Sequence, residues 1–447
     1  MLRCICLLVA FCWLQPAQSF AANPQNLMDV YQQALAHDPV LASAKSANLA
    51  AQEQLEQGKA LFRPSVSLSA NANHSETDLK YNALTIFGKG SRESFQSYGA
   101  GVNVIQPIYR KQNNAQLEQS KSFVSQADKQ LLLTQQNLIV RCAQAYFDML
   151  VAQDKVDLIL AQKTAITKQL EQAKANFDVG NSTITDVNEA QARFDLIVAQ
   201  EIAASNDVEV KRRTIQSITG DSPQKLAPVA VTLKPAMPTP NDMEAWVGTA
   251  EWSSVTLSIQ QQAFEIAAQE VERQNAGNLP TLDAVGSYTS NYANGAINGL
   301  GADTQNATIG LQLQMQLYQG GAISSRVREA VAKKQKAQDD VEAARRQAEL
   351  DTRQAYLNLS SSVAQVSAYE QALISSQSQL DSTNLGYEVG VRTSVDVLNA
   401  QQQYFSAKRD LLQARYTYLI SQLKLKLAVG QLNEGDLATL NQTLSQN

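Results

Sequence analysis

The sequence predicts an α+β chain, mostly α, built from one unit used twice. Each copy holds two amphipathic β-strands of membrane-barrel type, a very long coiled-coil helix and a shorter helix. Three observations predict this. Long stretches contain neither glycine nor proline. The two halves of the chain align at a constant offset of 210 residues. Between the helical stretches lie segments whose apolar residues recur at every second position.

The chain opens on an export signal. Arg3 precedes the apolar run Cys4–Leu14, and small residues follow at Ala17, Ser19, Ala21 and Ala22. Residues 1–21 therefore read as a secretory signal peptide, with cleavage expected after Ala21 or Ser19. The run is too short to span a bilayer as a helix. Cys4, Cys6 and Cys12 fall in this segment and leave Cys142 alone in the mature chain, so no intrachain disulfide is expected. Cys142 sits in a helical pattern and reads as a small core residue.

Net charge is −5 at pH 7 and the pI is about 5.3. No strongly basic segment exists, so nucleic acid is excluded as an expected partner. The mature chain has two histidines, His37 and His74, far apart, and no Walker, HExxH, GxSxG or CxxC sequence. Nothing argues for an enzyme, a cofactor or a structural metal. No mature stretch approaches 18 consecutive apolar residues, as a membrane-spanning helix would require.

The duplication is read from matched residues. Ala145-Tyr146 matches Ala355-Tyr356. Phe177, Gly180, Asp186, Val187, Ala190 and Gln191 match Tyr387, Gly390, Asp396, Val397, Ala400 and Gln401, and Gly220 matches Gly430. Pro64 answers Pro280 and Tyr109 answers Tyr318, with small changes of offset in the loops. One period spans about half the chain, which is a duplication rather than a solenoid.

Residues 108–179, 181–219, 322–385 and 391–429 contain neither glycine nor proline, and are rich in good helix formers. Ordinary globular helices average about 11–12 residues. A helix of ~68 residues would be ~100 Å long and cannot be the core of a compact domain. Ala145, Met149, Ala152, Val156 and Ile159 step by 4, 3, 4, 3, and Ala355, Leu359, Ser362, Val366 and Tyr369 repeat the register. That is the knobs-into-holes period. An isolated antiparallel hairpin in a periplasmic coiled-coil adaptor, an interaction protein, would carry the same signature.

The strand segments alternate. In 65–73, Val66, Leu68, Ala70 and Ala72 share one face and Ser65, Ser67, Ser69, Asn71 and Asn73 the other. In 307–317, Ile309, Leu311, Leu313, Met315 and Leu317 oppose Thr308, Gln312, Gln314 and Gln316. Residues 98–104 and 281–292 alternate more weakly. Such segments match transmembrane strands, apolar to lipid and polar to the lumen. Polar loops are expected at 75–96 and 293–306. Four strands leave two open edges, which cost several kcal/mol per unpaired backbone group in hydrocarbon. The chain must oligomerise to insert. A dimer would give eight strands and a trimer twelve. Lumen faces of Gln, Ser and Asn favour a wider, wet pore and so three or more chains.

The expected organisation follows. The first repeat, 22–220, holds a helix, strands within about 63–107, and helices at about 108–179 and 182–219. An equatorial belt linker, 221–256, holds five of the eleven prolines and both mature tryptophans, Trp246 and Trp252. The second repeat, 257–430, holds a helix, strands within about 280–318, and helices at about 322–387 and 392–429. Residues 431–447 join the belt.

The sequence resembles the TolC family across the whole mature chain. The resemblance is carried by YEVGVRTSVDVLNAQ at 387–401, LYQGG at 317–321, NLPTLDA at 278–284 and LNEGDLATLNQTL at 432–444. It implies a homotrimer whose twelve strands form one barrel in outer-membrane lipid, continued by a periplasmic α-helical barrel with a belt and a closed tip. It also implies recruitment by a periplasmic adaptor (membrane fusion) protein and an inner-membrane RND or ABC transporter, exporting drugs or unfolded protein, with the pump supplying the energy. The turns FDVGNSTITDV and YEVGVRTSVDV, at Gly180 and Gly390, would be the tip. There the family ties the second helix pair to the first, which makes Tyr387 and Arg392 the tying residues and Thr185 and Asp186 their partners. Threefold symmetry would make a ring of Asp396, a candidate inhibitory cation site. The second carboxylate that the family places three residues later is here Asn399, so cation block is expected to be modest.

Overall fold

A computed structural model describes residues 24–85, 88–223, 225–229, 234–296 and 300–442. The expected signal peptide lies outside them, as do residues 443–447 of the C-terminal segment. In chain order the elements are α1 (Leu27–His37), α2 (Pro39–Ala60), β1 (Ser65–Thr85), β2 (Gly88–Tyr109), α3 (Lys111–Asp178) and α4 (Ile184–Thr219). There follow α5 (Met243–Ser253), α6 (Val255–Asn275), β3 (Thr281–Ala293), β4 (Ala302–Gln314), α7 (Ala322–Glu388), α8 (Ser394–Ala428) and α9 (Glu434–Asn441).

The rods are continuous. α3 runs for 68 residues and α7 for 67, each about 100 Å at 1.5 Å per residue. Each folds back antiparallel on its shorter neighbour. The seam positions Ala145, Met149, Ala152 and Ile159 are buried, as are Leu359, Ser362 and Val366 in the second copy. Farther toward the tip, Ile159, Ile166, Leu170 and Ala173 of α3 pack with Ala190, Ile197 and Ala204 of α4, and Leu398 of α8 joins them. No helix among the described residues is long and apolar enough to cross a membrane.

All four strands form one antiparallel sheet in the order β1-β2-β3-β4. Its register sorts the two faces rung by rung. One face carries Val66, Val104, Gly286 and Ile309 in one rung and Leu68, Val102, Tyr288 and Ala307 in another. The opposite face carries Ser67, Asn103, Ser287 and Thr308, then Asn71, Gly99, Asn291 and Thr304. The weak alternation of β2 and β3 in sequence comes from exceptions to this pattern: Ile105 and Val285 share the polar face with Ser65, and Ser290 shares the apolar face with Ala70. Leu68, Ile309, Leu311 and Leu313 are exposed on the apolar face of a single chain, where lipid would cover them. At the base of the sheet, Arg110 donates a bidentate pair to Asp283 (2.8 and 2.6 Å), fixing the start of α3 to β3.

The expected loop at 75–96 is instead strand. β1 and β2 continue as a paired ribbon through Lys80↔Gly90 to Thr85↔Gly88. A 21-residue strand is roughly 70 Å long, whereas crossing a bilayer takes about 9–11 residues. The apolar face explains the difference. Beyond Ala72 it carries His74, Glu76, Asp78 and Lys80, and Arg92 reaches Glu76 at 3.3 Å. Both faces are then polar, so the period-two signal vanishes while the backbone pairing continues. The second hairpin is shorter, and its connection narrows from the expected 293–306 to 294–301.

The single helix expected before each strand pair is two helices. Asp38 ends α1 and caps α2, accepting from the Leu41 amide at 2.8 Å, and Pro39 takes the first helical position. Buried Asp38 also accepts from Arg141 Nη2 at 2.6 Å. Ser254 caps α6 in the same way, and lies as far from Asp38 as Pro280 lies from Pro64. So α5, placed by sequence in the linker 221–256, is the second copy of α1. The segments expected to form a belt pack together from distant parts of the chain. Gln25 pairs with Leu226 as a parallel bridge, and the Leu27 amide donates to Asn441 Oδ1 at 3.0 Å. Tyr31 donates to Glu434 at 3.0 Å, and Tyr146 donates to the Ala227 carbonyl at 2.7 Å. Leu27, Tyr31, Tyr146, Phe147, Leu419 and Leu437 form the apolar centre of this packing.

Candidate gate at the helix-pair tips

Both long helices end on the same device. Gly180 and Gly390 sit at φ 77° and 78°, a left-handed conformation that costs other residues about 1–2 kcal/mol. The Asn181 amide reaches back to the Asn176 carbonyl and the Val391 amide to the Gly386 carbonyl, both at 2.8 Å. These are Schellman closures. Each following helix opens on a capping box: Thr183 with Asp186, and Thr393 with Asp396.

The boxes assign a local duty to both aspartates. Asp186 Oδ2 accepts from the Thr183 amide (3.0 Å), Thr183 Oγ1 (2.8 Å) and Ser182 Oγ (2.8 Å). Asp396 Oδ2 accepts from the Thr393 amide and hydroxyl, both at 2.9 Å. The Thr183 amide, and after it the Thr183 and Ser182 hydroxyls, hold the Asp186 carboxyl below the usual carboxylate range. The Thr393 amide and hydroxyl do the same for Asp396, with a smaller contribution from the nearby charge of Arg392. Both are therefore anionic at neutral pH.

At the tips, four side-chain hydrogen bonds among the described residues cross between the two repeats. Ser394 Oγ donates to Asp186 Oδ1 at 3.1 Å. The Tyr387 hydroxyl accepts from Asn176 Nδ2 at 3.2 Å. Arg193 Nη1 and Nη2 donate to Gln402 Oε1 at 2.5 Å and Asn399 Oδ1 at 3.1 Å. Of the residues singled out by sequence, Tyr387, Asp186 and Asn399 thus engage the opposite repeat, through partners other than those expected. Thr185 is exposed in the first turn of α4. Arg392 is exposed and forms no ion pair with the described residues of its own chain; its stem covers Gly386, where a Cβ would meet Arg392 Cγ at 2.7 Å. Asn176, Arg193 and Ser394 were not found by sequence reasoning, because their partners lie more than 200 residues away. Their only local signal is a polar side chain in a helical stretch. Among the described residues no cluster of three or more His, Cys, Asp or Glu is placed to hold a metal.

A two-faced sheet with open edges, continued by paired ~100 Å helices that end in interlocked turns, defines the class: a membrane duct with a tunnel and a tip. The chain belongs to the outer membrane efflux protein family, whose model matches residues 30–221 and 246–431. The two matched segments begin within or beside α1 and α5, which places the start of the second repeat upstream of residue 257. The chain is 35% identical over 425 residues to outer membrane protein TolC of Vibrio cholerae serotype O1, covering 95% of this chain and 94% of that protein. It is 29% identical over 425 residues to the proteases secretion protein PrtF of Dickeya chrysanthemi, covering 94% of this chain and 91% of the relative. The Campylobacter jejuni CmeC outer membrane channel has the same fold, with a TM-score of 0.78 at 17% identity over 94% of this chain and 90% of that one. VceC of Vibrio cholerae gives 0.76 at 19%, over 90% and 96%. The protein is an outer-membrane exit channel of a Gram-negative bacterium.

Proposed function

We propose that three copies form a passive conduit whose tip is a gate, opened by a periplasmic adaptor protein and an inner-membrane RND or ABC transporter. The observation that carries the reading is the four-stranded sheet with apolar and polar faces and unpaired β1 and β4 edges. Three such sheets close a twelve-stranded barrel wide enough for a wet lumen. In this reading Tyr387 and Arg392 hold the second helix pair inward. Arg392 forms no ion pair with the described residues of its own chain, and in this reading its partners are Thr185 and Asp186 of a neighbouring protomer. Three Asp396 carboxylates then converge at the mouth as a cation site, in competition with their capping bonds. Export of proteins is supported by the similarity to a protease secretion protein, and export of small compounds by the efflux family. The channel carries no chemistry of its own; the transporter provides the energy.

Native mass measurement of detergent-extracted protein should give three chains, and planar bilayers should show small, long-lived conductance steps blocked from the tip side by trivalent cations. A stable monomer inserted in lipid would overturn the assembly. Block that survives Asp396→Asn would remove the ring.

A further inference from the structure

We propose that Arg193 is the positioning residue that sets how far α8 of the second repeat stands from α4 of the first, just inside the tip. The inference deepens the gate reading and rests on it. Arg193 spends three donors in three directions. Nη1 goes to Gln402 and Nη2 to Asn399, while Nε donates to Glu189 one turn earlier on its own helix at 3.3 Å. Asn399 and Gln402 lie one turn apart on α8, so the planar guanidinium bridges two successive turns. Glu189 fixes its orientation. Of the three side-chain hydrogen bonds that join α4 to α8 among the described residues, two belong to Arg193.

The duplication does not explain this bridge. The positions equivalent to Arg193 and Asn399 in the other copy are Gln403 and Glu189, so the cross-link exists in one direction only. It also gives Asn399 a duty. Its amide oxygen already accepts from a cation, so a carboxylate placed there would meet Arg193 as an ion pair before it could add charge to a ring in the pore. Asn399→Asp therefore tightens the tie instead of creating a second cation site. A lysine at 193 keeps the charge but cannot serve three acceptors at fixed angles.

The test uses the full-length trimer. Spin labels at Asn188→Cys on α4 and Lys408→Cys on α8 report the helix separation by electron–electron resonance, beside single-channel conductance and the heat resistance of the trimer. Cys142 is buried, with its thiol pushed up to about 12 by desolvation, and stays unlabelled. Arg193→Gln and Arg193→Lys should broaden and lengthen the distance and raise conductance by roughly threefold, the scale of one lost hydrogen-bonded tie, with heat resistance unchanged. Asn399→Asp should sharpen the distance when Arg193 is present and have no such effect in Arg193→Gln. An unchanged distance in Arg193→Gln overturns the inference, and so does an effect of Asn399→Asp that is independent of residue 193. A broadened distance with unchanged conductance upholds the positioning role and sinks the gate reading instead.

Discussion

The two repeats share a backbone and differ in what they hang on it. At the tips, glycine angles, Schellman closures and threonine–aspartate capping boxes are nearly superimposable. The side chains are not: Phe177 and Ser182 of the first copy stand where Tyr387 and Arg392 stand in the second. At the other end the contrast is in length, with strands of 21 and 22 residues in one hairpin and 13 in each strand of the other. The lesson is that geometry needed by both copies is written in backbone-controlling residues. The asymmetry between the copies, on which the proposed gate rests, is written in polar side chains, which cost the fold little.

The largest effect should come from breaking the shared part. Val66 and Ile309 occupy one rung of the apolar face, one from each repeat. Val66→Arg and Ile309→Arg should each destabilise the barrel by about 2–4 kcal/mol, read by urea unfolding in micelles. Thr308→Arg, on the polar face, and Glu76→Arg, on the same strand as Val66 but beyond the apolar band, should be nearly neutral. Equal damage at 308 and 309 would mean that the sheet does not have one face in lipid.

A smaller effect sharpens the unshared part. Tyr387→Phe with Arg392→Ser should raise single-channel conductance several-fold, because exposed ties are worth about 0–1 kcal/mol each and act three times per trimer. The matching change in the first copy, Phe177→Leu with Ser182→Ala, should leave conductance unchanged, since Asp186 keeps its Thr183 and Ser394 donors. If both pairs open the channel alike, the copies are functionally equivalent and the division of labour fails.

The smallest effect is a pH contrast between the tips and the middle of the tunnel. Asp186 and Asp396 have depressed pKa values in the folded chain. Their contribution is present above the ordinary carboxylate value of about 3.9 and is lost as pH falls through the lower folded value. Asp154 is the opposite case. Burial raises its pKa, although it accepts from the Tyr416 hydroxyl at 2.6 Å across α3 and α8. The native state then holds the proton longer, so this group's contribution falls as pH rises from the ordinary value through the folded one. Asp154→Asn should make the protein slightly more stable at pH 7 than the wild type, with the difference vanishing at pH 4. Hydrogen exchange should show the α4 and α8 first turns loosening only in stronger acid. A loss of tip protection already at pH 5 would contradict the capping role of the two aspartates.

How much of this was legible depended on how local the cause is. The rods could be read because a chain without glycine or proline has little else to do, and Gly180 and Gly390 mark their ends by a backbone angle other residues avoid. Ile309 to Leu313 could be read because one apolar face enforces alternation, although the strand stops at Gln314, short of the expected Leu317. The ribbon beyond Ala72 could not: water on both faces enforces nothing. α5 was hidden in the proline-rich linker because its helix is short, and only its cap, Ser254, repeats the logic of Asp38. At the tip, Gly390, Asp396 and Tyr387 stood out by motif. Arg193 did not, because its acceptors lie 206 and 209 residues away and no local pattern announces such a contact.

The belt sets an order of events in time. Its pieces come from the two ends and the middle of the chain: Gln25 needs Leu226, Leu27 needs Asn441 and Tyr31 needs Glu434. During synthesis and passage through the inner membrane, Leu27 and Tyr31 wait for more than 400 other residues before their partners exist. The hairpins and coiled coils, whose contacts are nearer in sequence, can form while the belt is still open. The belt is thus a clasp that only a finished chain can fasten, and a chain lacking its last helix would keep its rods but hold its N-terminal segment loose for periplasmic proteases to find.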